Sequence, residues 1–135
     1  MTWNEWVEPI QSVLGSSKMA HVFEIFRKDA GKNILAVVDE EDRALGVLRE
    51  TDLKRYVYSS FGRELIRNRL VSEFAVSCDQ IPDTLDTASV LQLLANSLPQ
   101  DGFIVTSGGF YVGMLKQDAV LRLYEANRKS AEQQI

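Results

Sequence analysis

The 135-residue sequence has one cysteine, three prolines and no long apolar run. A single thiol, Cys78, cannot form an internal disulfide, and we interpret it as a packing residue. The longest apolar stretches, such as residues 34–38, are about a quarter of the ~20 residues that cross a bilayer, so we predict no membrane span. The N-terminus lacks the basic start and apolar centre of a secretory signal. Without an export signal, the reducing cytoplasm is the expected compartment.

Catalytic and metal-binding side chains are equally scarce. The one histidine, His21, lies between apolar positions of a helical pattern, which favours a structural role over catalysis. No HExxH, CxxC, GxSxG or GxxxxGK[ST] string is present, and the carboxylates do not cluster at metal-ligand spacing. The formal net charge of −4 repels nucleic-acid backbones. We therefore predict a protein that is not an enzyme and binds neither metal nor nucleic acid.

The chain contains an internal repeat. Residues 18–26 align with residues 86–94 at an offset of 86 − 18 = 68 positions, and both segments place apolar residues at helical spacing. Each pattern indicates a helix with one buried face. The predicted buried residues are Met19, Val22, Phe23 and Phe26 in the first helix and Val90, Leu91, Leu94 and Leu98 in the second.

A hairpin and a second helix follow each of these helices. The hairpins are predicted at residues 34–48 and 103–115, and their continuous apolar runs indicate strands covered on both faces. Amphipathic helices are predicted at residues 49–58 and 116–129. Leading strands at residues 7–14 and 76–82 complete each half, with Pro9 and Pro82 confined to edges or strand ends. The order β-α-β-β-α in each half predicts an α+β fold.

These patterns resemble a tandem pair of CBS motifs, the regulatory Bateman module. The resemblance is carried by ILAVVDEED followed by ALGVLRETDLKRY, and by GFIVTSGG followed by YVGMLKQDAVLRL. It implies one module over residues 1–135, with a first motif at 7–58, a linker at 59–75 and a second motif at 76–128. It also implies that the motifs pack through their sheets with pseudo-twofold symmetry.

A narrower likeness concerns the linker and the second motif. The strings FGRELIRNRLVSEF and DGFIVTSGGFYVG are similar to CBS pairs found between cyclic di-GMP phosphodiesterase and diguanylate cyclase domains of bacterial signalling proteins. The chain is thus either a free-standing relative or an excised regulatory segment, and both alternatives stay open. The resemblance further implies a cytoplasmic homodimer that acts in signal transduction on a fused or associated effector domain.

The family resemblance implies adenosyl ligands, namely AMP, ADP, ATP or S-adenosylmethionine, held where the two motifs meet. No cofactor is required. Asp52 and Asp118 occupy the position of the family's carboxylate at a helix start, which accepts the ribose hydroxyls while helix-end amides attract phosphate. The resemblance places further pocket positions beside the adenine edge, at Ile34 and Leu35 in the first motif and at Gly102 and Phe103 in the second.

Both motifs depart from the family pattern. Arg49 fills the position of the family's Thr or Ser, with Thr51 two residues later, and an arginine reaches phosphate but does not replace a hydroxyl. In the second motif Lys116 fills that position, and Asp118 follows its glycine by five residues rather than six. These departures leave an alternative function open, a dimerisation or interaction module with degenerate pockets and no ligand.

Overall fold

The computed structural model describes residues 3–28, 33–97 and 102–133. Across these ranges the fold is mixed α+β, with two three-stranded sheets and five α-helices. The strands are β1 (Ser12–Leu14), β2 (Ile34–Val38), β3 (Ala44–Arg49), β4 (Gln80–Pro82), β5 (Gly102–Ser107) and β6 (Phe110–Lys116). The helices are α1 (Met19–Lys28), α2 (Glu50–Val57), α3 (Ser60–Ile66), α4 (Thr87–Ala95) and α5 (Gln117–Gln133).

The chain divides into two compact units. Residues 10–78 form one unit, and residues 79 onward form the other together with the segment that precedes residue 10. Each unit contains one sheet, in which the first strand is parallel to the second and the second is antiparallel to the third. The predicted β-α-β-β-α order is therefore present in both units. The leading strands are shorter than predicted, because β1 begins at Ser12, beyond Pro9, and β4 begins at Gln80; β4 ends at Pro82, as predicted.

The helical stripes form the core faces that the apolar spacing predicts. In the unit of residues 10–78, the four stripe residues of α1 are all buried, and Ile25 joins them. His21 lies off this stripe and is exposed, so it is not part of the buried face of α1. In α4 the stripe residues Val90, Leu91 and Leu94 are buried, whereas Leu98 lies outside the described residues.

Part of the predicted linker belongs to a hydrophobic core. The helix α3 packs against α1 and α2, and Ile66 is buried in the core cluster of the unit. Ser59 caps α3, because its side chain accepts a hydrogen bond from the amide of Gly62 at 3.1 Å. A short 3₁₀ helix, Val71–Glu73, follows and adds the buried side chain of Val71 to the same core.

The N-terminal segment repeats the structure of this linker region. A 3₁₀ helix at Trp3–Trp6 buries Trp3 in the core of the other unit. Beyond it, Glu8 and Met114 exchange two backbone hydrogen bonds of 2.8 Å, just as Val76 and Val47 exchange two of 2.9 Å. In each unit the third strand of the sheet, β3 or β6, is thus paired by one isolated β-bridge. The partner residue, Val76 or Glu8, lies just before β4 or β1 in the sequence.

The matched glycines Gly46 and Gly113 make these bridges possible. A Cβ added to Gly113 would lie 2.6 Å from the backbone oxygen of Glu8, and one added to Gly46 would collide with the backbone oxygen of Val76. Only a residue without a side chain allows the two backbones to approach this closely. The glycine of each motif is therefore required by packing, whatever else the motif does.

Candidate functional site

The nine predicted site residues lie at two corresponding strand-to-helix junctions, one in each unit. At the first junction, Arg49 is the last residue of β3 and pairs with Ile34, the first residue of β2, while Leu48 pairs with Leu35. Thr51 and Asp52 follow in the first turn of α2. The structure therefore brings the five residues predicted for the first motif into one neighbourhood.

The first turn of α2 has amides available to an anion. Arg49 is the N-cap residue, with extended backbone angles and no side-chain capping hydrogen bond. The amide of Glu50 donates to the carbonyl of Asn33 at 2.9 Å, which ties the start of α2 to the approach to β2. The amides of Thr51 and Asp52 have no acceptor in the part of the chain that the structure describes. Such helix-end amides and the helix dipole favour negative charge.

Asp52 and Arg49 form an ion pair across this turn. The distance between Nε of Arg49 and Oδ2 of Asp52 is 3.5 Å, and the Asp52 side chain is 51% exposed. The carboxylate is open to solvent, whereas the Nε of Arg49 is buried, so the Asp52 side of the pair is the one accessible to a ligand. Chemically, the junction offers a carboxylate acceptor, a guanidinium donor and two amides, the groups that recognise hydroxyls and phosphates.

At the second junction the register displaces the predicted carboxylate by one position. Lys116 pairs with Gly102 just as Arg49 pairs with Ile34, so Lys116 corresponds to Arg49. Asp118, two residues later, therefore corresponds to Thr51 and not to Asp52. One residue along a helix rotates a side chain by about 100°, so the two carboxylates face different directions from their helices.

The position that corresponds to Asp52 is Ala119, which is 5% exposed and belongs to the hydrophobic core. The second motif therefore has no carboxylate where the first has one. The sequence signal was the spacing of five residues rather than six, and the strand register shows which residue takes the position instead.

The other three candidates of the second motif have structural partners. Gly102 and Phe103 are buried in β5, and a Cβ at Gly102 would lie 3.1 Å from the backbone oxygen of Leu115. The ammonium of Lys116 lies 3.9 Å from a carboxylate oxygen of Glu8. Sequence reasoning missed Glu8 as a neighbour of this junction, because no local pattern links it to a residue more than a hundred positions away.

The described residues show neither a cluster of metal ligands nor a helix suited to cross a membrane. Within residues 3–28, 33–97 and 102–133, no three His, Cys, Asp or Glu side chains gather as metal ligands would. None of the helices described has both the length and the apolar character that crossing a membrane demands.

Comparisons with known proteins agree with this architecture. The family model described as the CBS domain matches residues 7–59. No curated protein matches the chain in sequence. A CBS domain-containing protein of unknown function from Bacillus anthracis is a structural match with a TM-score of 0.72 and 14% identity, covering 93% of this chain and 94% of that one.

Two further structural matches contain nucleotides. CBSX2 in complex with AMP has a TM-score of 0.69 and 17% identity, over 94% of this chain and 98% of that one. The CBS domain of a bacterial CNNM/CorC family Mg²⁺ transporter in complex with ATP has a TM-score of 0.72 and 19% identity, over 91% of this chain and 86% of that one. These structures show that the chain has the fold of CBS domain pairs, while the family match is confined to residues 7–59.

Proposed function

We propose that this CBS domain pair is a non-catalytic regulatory module that binds an adenine nucleotide or a related adenosyl ligand through its first motif. The observation that carries the proposal is the half-exposed carboxylate of Asp52 in the uncapped first turn of α2. Structural neighbours in complex with AMP and ATP support this ligand class. The candidates for this chain are AMP, ADP, ATP and S-adenosylmethionine.

Each group at the first junction has a role in such binding. The carboxylate of Asp52 accepts hydrogen bonds from the two ribose hydroxyls, and the amides of Thr51 and Asp52 donate hydrogen bonds to phosphate oxygens. Arg49 leaves its ion pair with Asp52 and donates to phosphate, which compensates for the hydroxyl that this motif lacks. Ile34 and Leu35 supply the backbone and the apolar surface beside the base.

The second motif has Ala119 where the first has the carboxylate of Asp52, and this difference sets the expected number of nucleotides per chain. Since Ala119 is buried and cannot bind a ribose, we expect one nucleotide per chain, held by the first motif. Ligand binding regulates an effector only if the ligand prefers one arrangement of the module over another. The effector is a fused or associated domain, and signal transduction in the cytoplasm is the proposed setting.

Calorimetric titration of the full chain with AMP, ADP, ATP and S-adenosylmethionine tests this function. Asp52→Ala is expected to weaken binding by about tenfold or more, since a charge-assisted hydrogen bond contributes roughly 1.5–3 kcal/mol. Asp118→Ala is the matched control, because it removes a carboxylate from the first turn of α5 but not from the position that corresponds to Asp52. The absence of heat with all four ligands, or equal losses in the two variants, would contradict the proposal.

A second candidate is an interaction module with degenerate pockets. It is favoured by Ala119 in the second motif and by Arg49 in the family's hydroxyl position. In this function the chain forms a homodimer and transmits movement between neighbours, as the likeness to cyclic di-GMP signalling proteins suggests. Light scattering discriminates the two candidates: a dimer whose mass and thermal stability do not change with any of the four nucleotides supports the interaction module.

A further inference from the structure

A cleft lies on the unit of residues 10–78 and reaches Tyr58, whose hydroxyl donates to Glu50 at the start of α2. Its volume is about 430 Å³, and it lies between α1 and α3. None of the nine predicted site residues lines it. The lining residues are Ala20, Phe23, Glu24, Phe26 and Arg27 of α1, Tyr58 after α2, and Arg63, Glu64 and Arg67 of the α3 region.

The backbone holds the two sides of the cleft together at one end. The amides of Met19 and Ala20, at the start of α1, donate to the carbonyls of Arg69 and Arg67 at 2.9 and 3.0 Å. These hydrogen bonds join the N-terminus of α1 to the segment that follows α3. The first amides of α1, which have no acceptor within their own helix, therefore bond to carbonyls of that segment. The cleft is therefore preformed by main-chain hydrogen bonds rather than by flexible side chains.

The cleft combines apolar surface with positive charge. Phe23 and Phe26 line the cleft but are core residues, only 8% and 6% exposed, whereas Tyr58, which also lines it, is 68% exposed. Around them the cleft has three arginines against two glutamates, a surplus of one positive charge on a chain whose net charge is −4. Five of the nine lining residues are charged, Ala20, Phe23, Phe26 and Tyr58 supply the apolar part, and the volume is within the range of a ligand pocket.

Two of the arginines have donors to spare. Arg27 donates one hydrogen bond to Glu24 and Arg67 donates one to Glu64, each at 3.1 Å. A guanidinium has five N–H donors, and neither arginine has a further partner in the described parts of the chain. Both pairs are exposed and therefore weak, so an incoming anion competes well with the glutamates.

We propose that this cleft binds a small soluble anion with an aromatic or aliphatic body, a phosphate monoester or a carboxylate. The guanidinium groups of Arg27 and Arg67 bind the anionic head, since a planar fork matches phosphate and carboxylate geometry. The apolar body packs against the ring of Tyr58 and the small exposed parts of Phe23 and Phe26. This site shares no residue with the nucleotide site proposed at Asp52, but the hydroxyl of Tyr58 donates to Glu50, two residues before Asp52.

Amide NMR of the full-length chain, titrated with phenyl phosphate, tests the proposal. Saturable shifts are expected in α1 and α3, with benzoate acting at the same amides. Inorganic phosphate lacks the apolar body and phenol lacks the charge, so each is expected to bind at least tenfold more weakly. The double variant R27Q/R67Q is expected to weaken phenyl phosphate binding by about tenfold or more. Arg43→Gln is the matched control, because Arg43 is an exposed arginine paired with Glu41 outside the cleft.

Each outcome decides the proposal. Retention of the α1 and α3 shifts in Asp52→Ala supports a separate site, whereas their loss there overturns its independence. Equal affinity for phenol, or unchanged binding by R27Q/R67Q, overturns the anion site. Shifts of the same amides upon concentration of the protein alone overturn it in favour of a second copy. Vesicles of phosphatidylcholine and phosphatidylserine that compete with phenyl phosphate overturn it in favour of a membrane surface.

Discussion

The two tryptophans of the N-terminal 3₁₀ helix give a test of how the molecule is held together. The side chain of Trp3 is 1% exposed, and its Nε1–H donates to the carbonyl of Leu85 at 2.7 Å. Trp6 lies in the same turn and packs against the same core, but its buried Nε1 has no hydrogen-bond partner among the described residues. The same substitution, Trp→Phe, therefore removes a satisfied donor at one position and an unsatisfied one at the other.

We expect a larger loss of stability at Trp3 than at Trp6. Trp3→Phe removes the donor to the partly buried carbonyl of Leu85, which costs about 0.5–1.5 kcal/mol, plus the cavity left by the smaller ring. Trp6→Phe removes a polar group that was desolvated without compensation, so its cost is limited to lost apolar contact, and the net change is near zero. Trp3→Ala removes roughly 150–250 Å² of buried surface, and we expect a loss of about 3–5 kcal/mol.

Urea unfolding followed by circular dichroism measures these differences, because the signal does not depend on the tryptophans being replaced. The midpoint for Trp3→Phe should fall clearly below that for Trp6→Phe at unchanged slope. Equal losses in the two variants would refute the reasoning, because burial alone would then explain both. A larger loss of stability for Trp6→Phe would show that the indole of Trp6 makes an interaction that stabilises the chain more than the hydrogen bond from Trp3 to the Leu85 carbonyl.

Three further predictions concern the linker, a glycine contact and acid stability. Ile66→Ala should destabilise the chain by about 2–5 kcal/mol in the same assay, whereas Leu65→Ala, on the exposed side of α3, should change it by less than about 0.5 kcal/mol; equal losses would contradict a core role for α3. Gly113→Ala should lower the melting temperature, since its Cβ would meet the backbone of Glu8, and an unchanged melting temperature would contradict the close approach. The hydrogen bonds from Ser89 lower the pKa of Asp86, so its stabilising effect is complete above the unfolded pKa and is lost as the pH falls below about 4. Asp86→Asn should therefore flatten the acid limb of a plot of melting temperature against pH, and a limb as steep as in the parent chain would contradict this assignment.

Local chemistry made much of the fold predictable. The apolar stripe of α1 and the turn residues between β5 and β6 are signals that act over a few positions, and the structure confirms both elements. The duplication was also visible, because each half repeats the same order of elements. The first-motif candidates, among them Arg49 and Asp52, were named from the resemblance to CBS motifs, which a short local string is enough to carry.

The tertiary structure decided what depends on distant pairing. Trp3 and Leu85 are 82 positions apart, and no local pattern predicts that an indole at the start of the chain completes a core built after residue 79. Likewise, only the strand register shows that Ala119, and not Asp118, corresponds to Asp52. The sequence by itself determined the strands and helices of the two repeats, because those preferences are local, but it did not predict α3 in the linker. The structure alone decided which side chains meet, because burial and register depend on contacts between residues far apart in the chain.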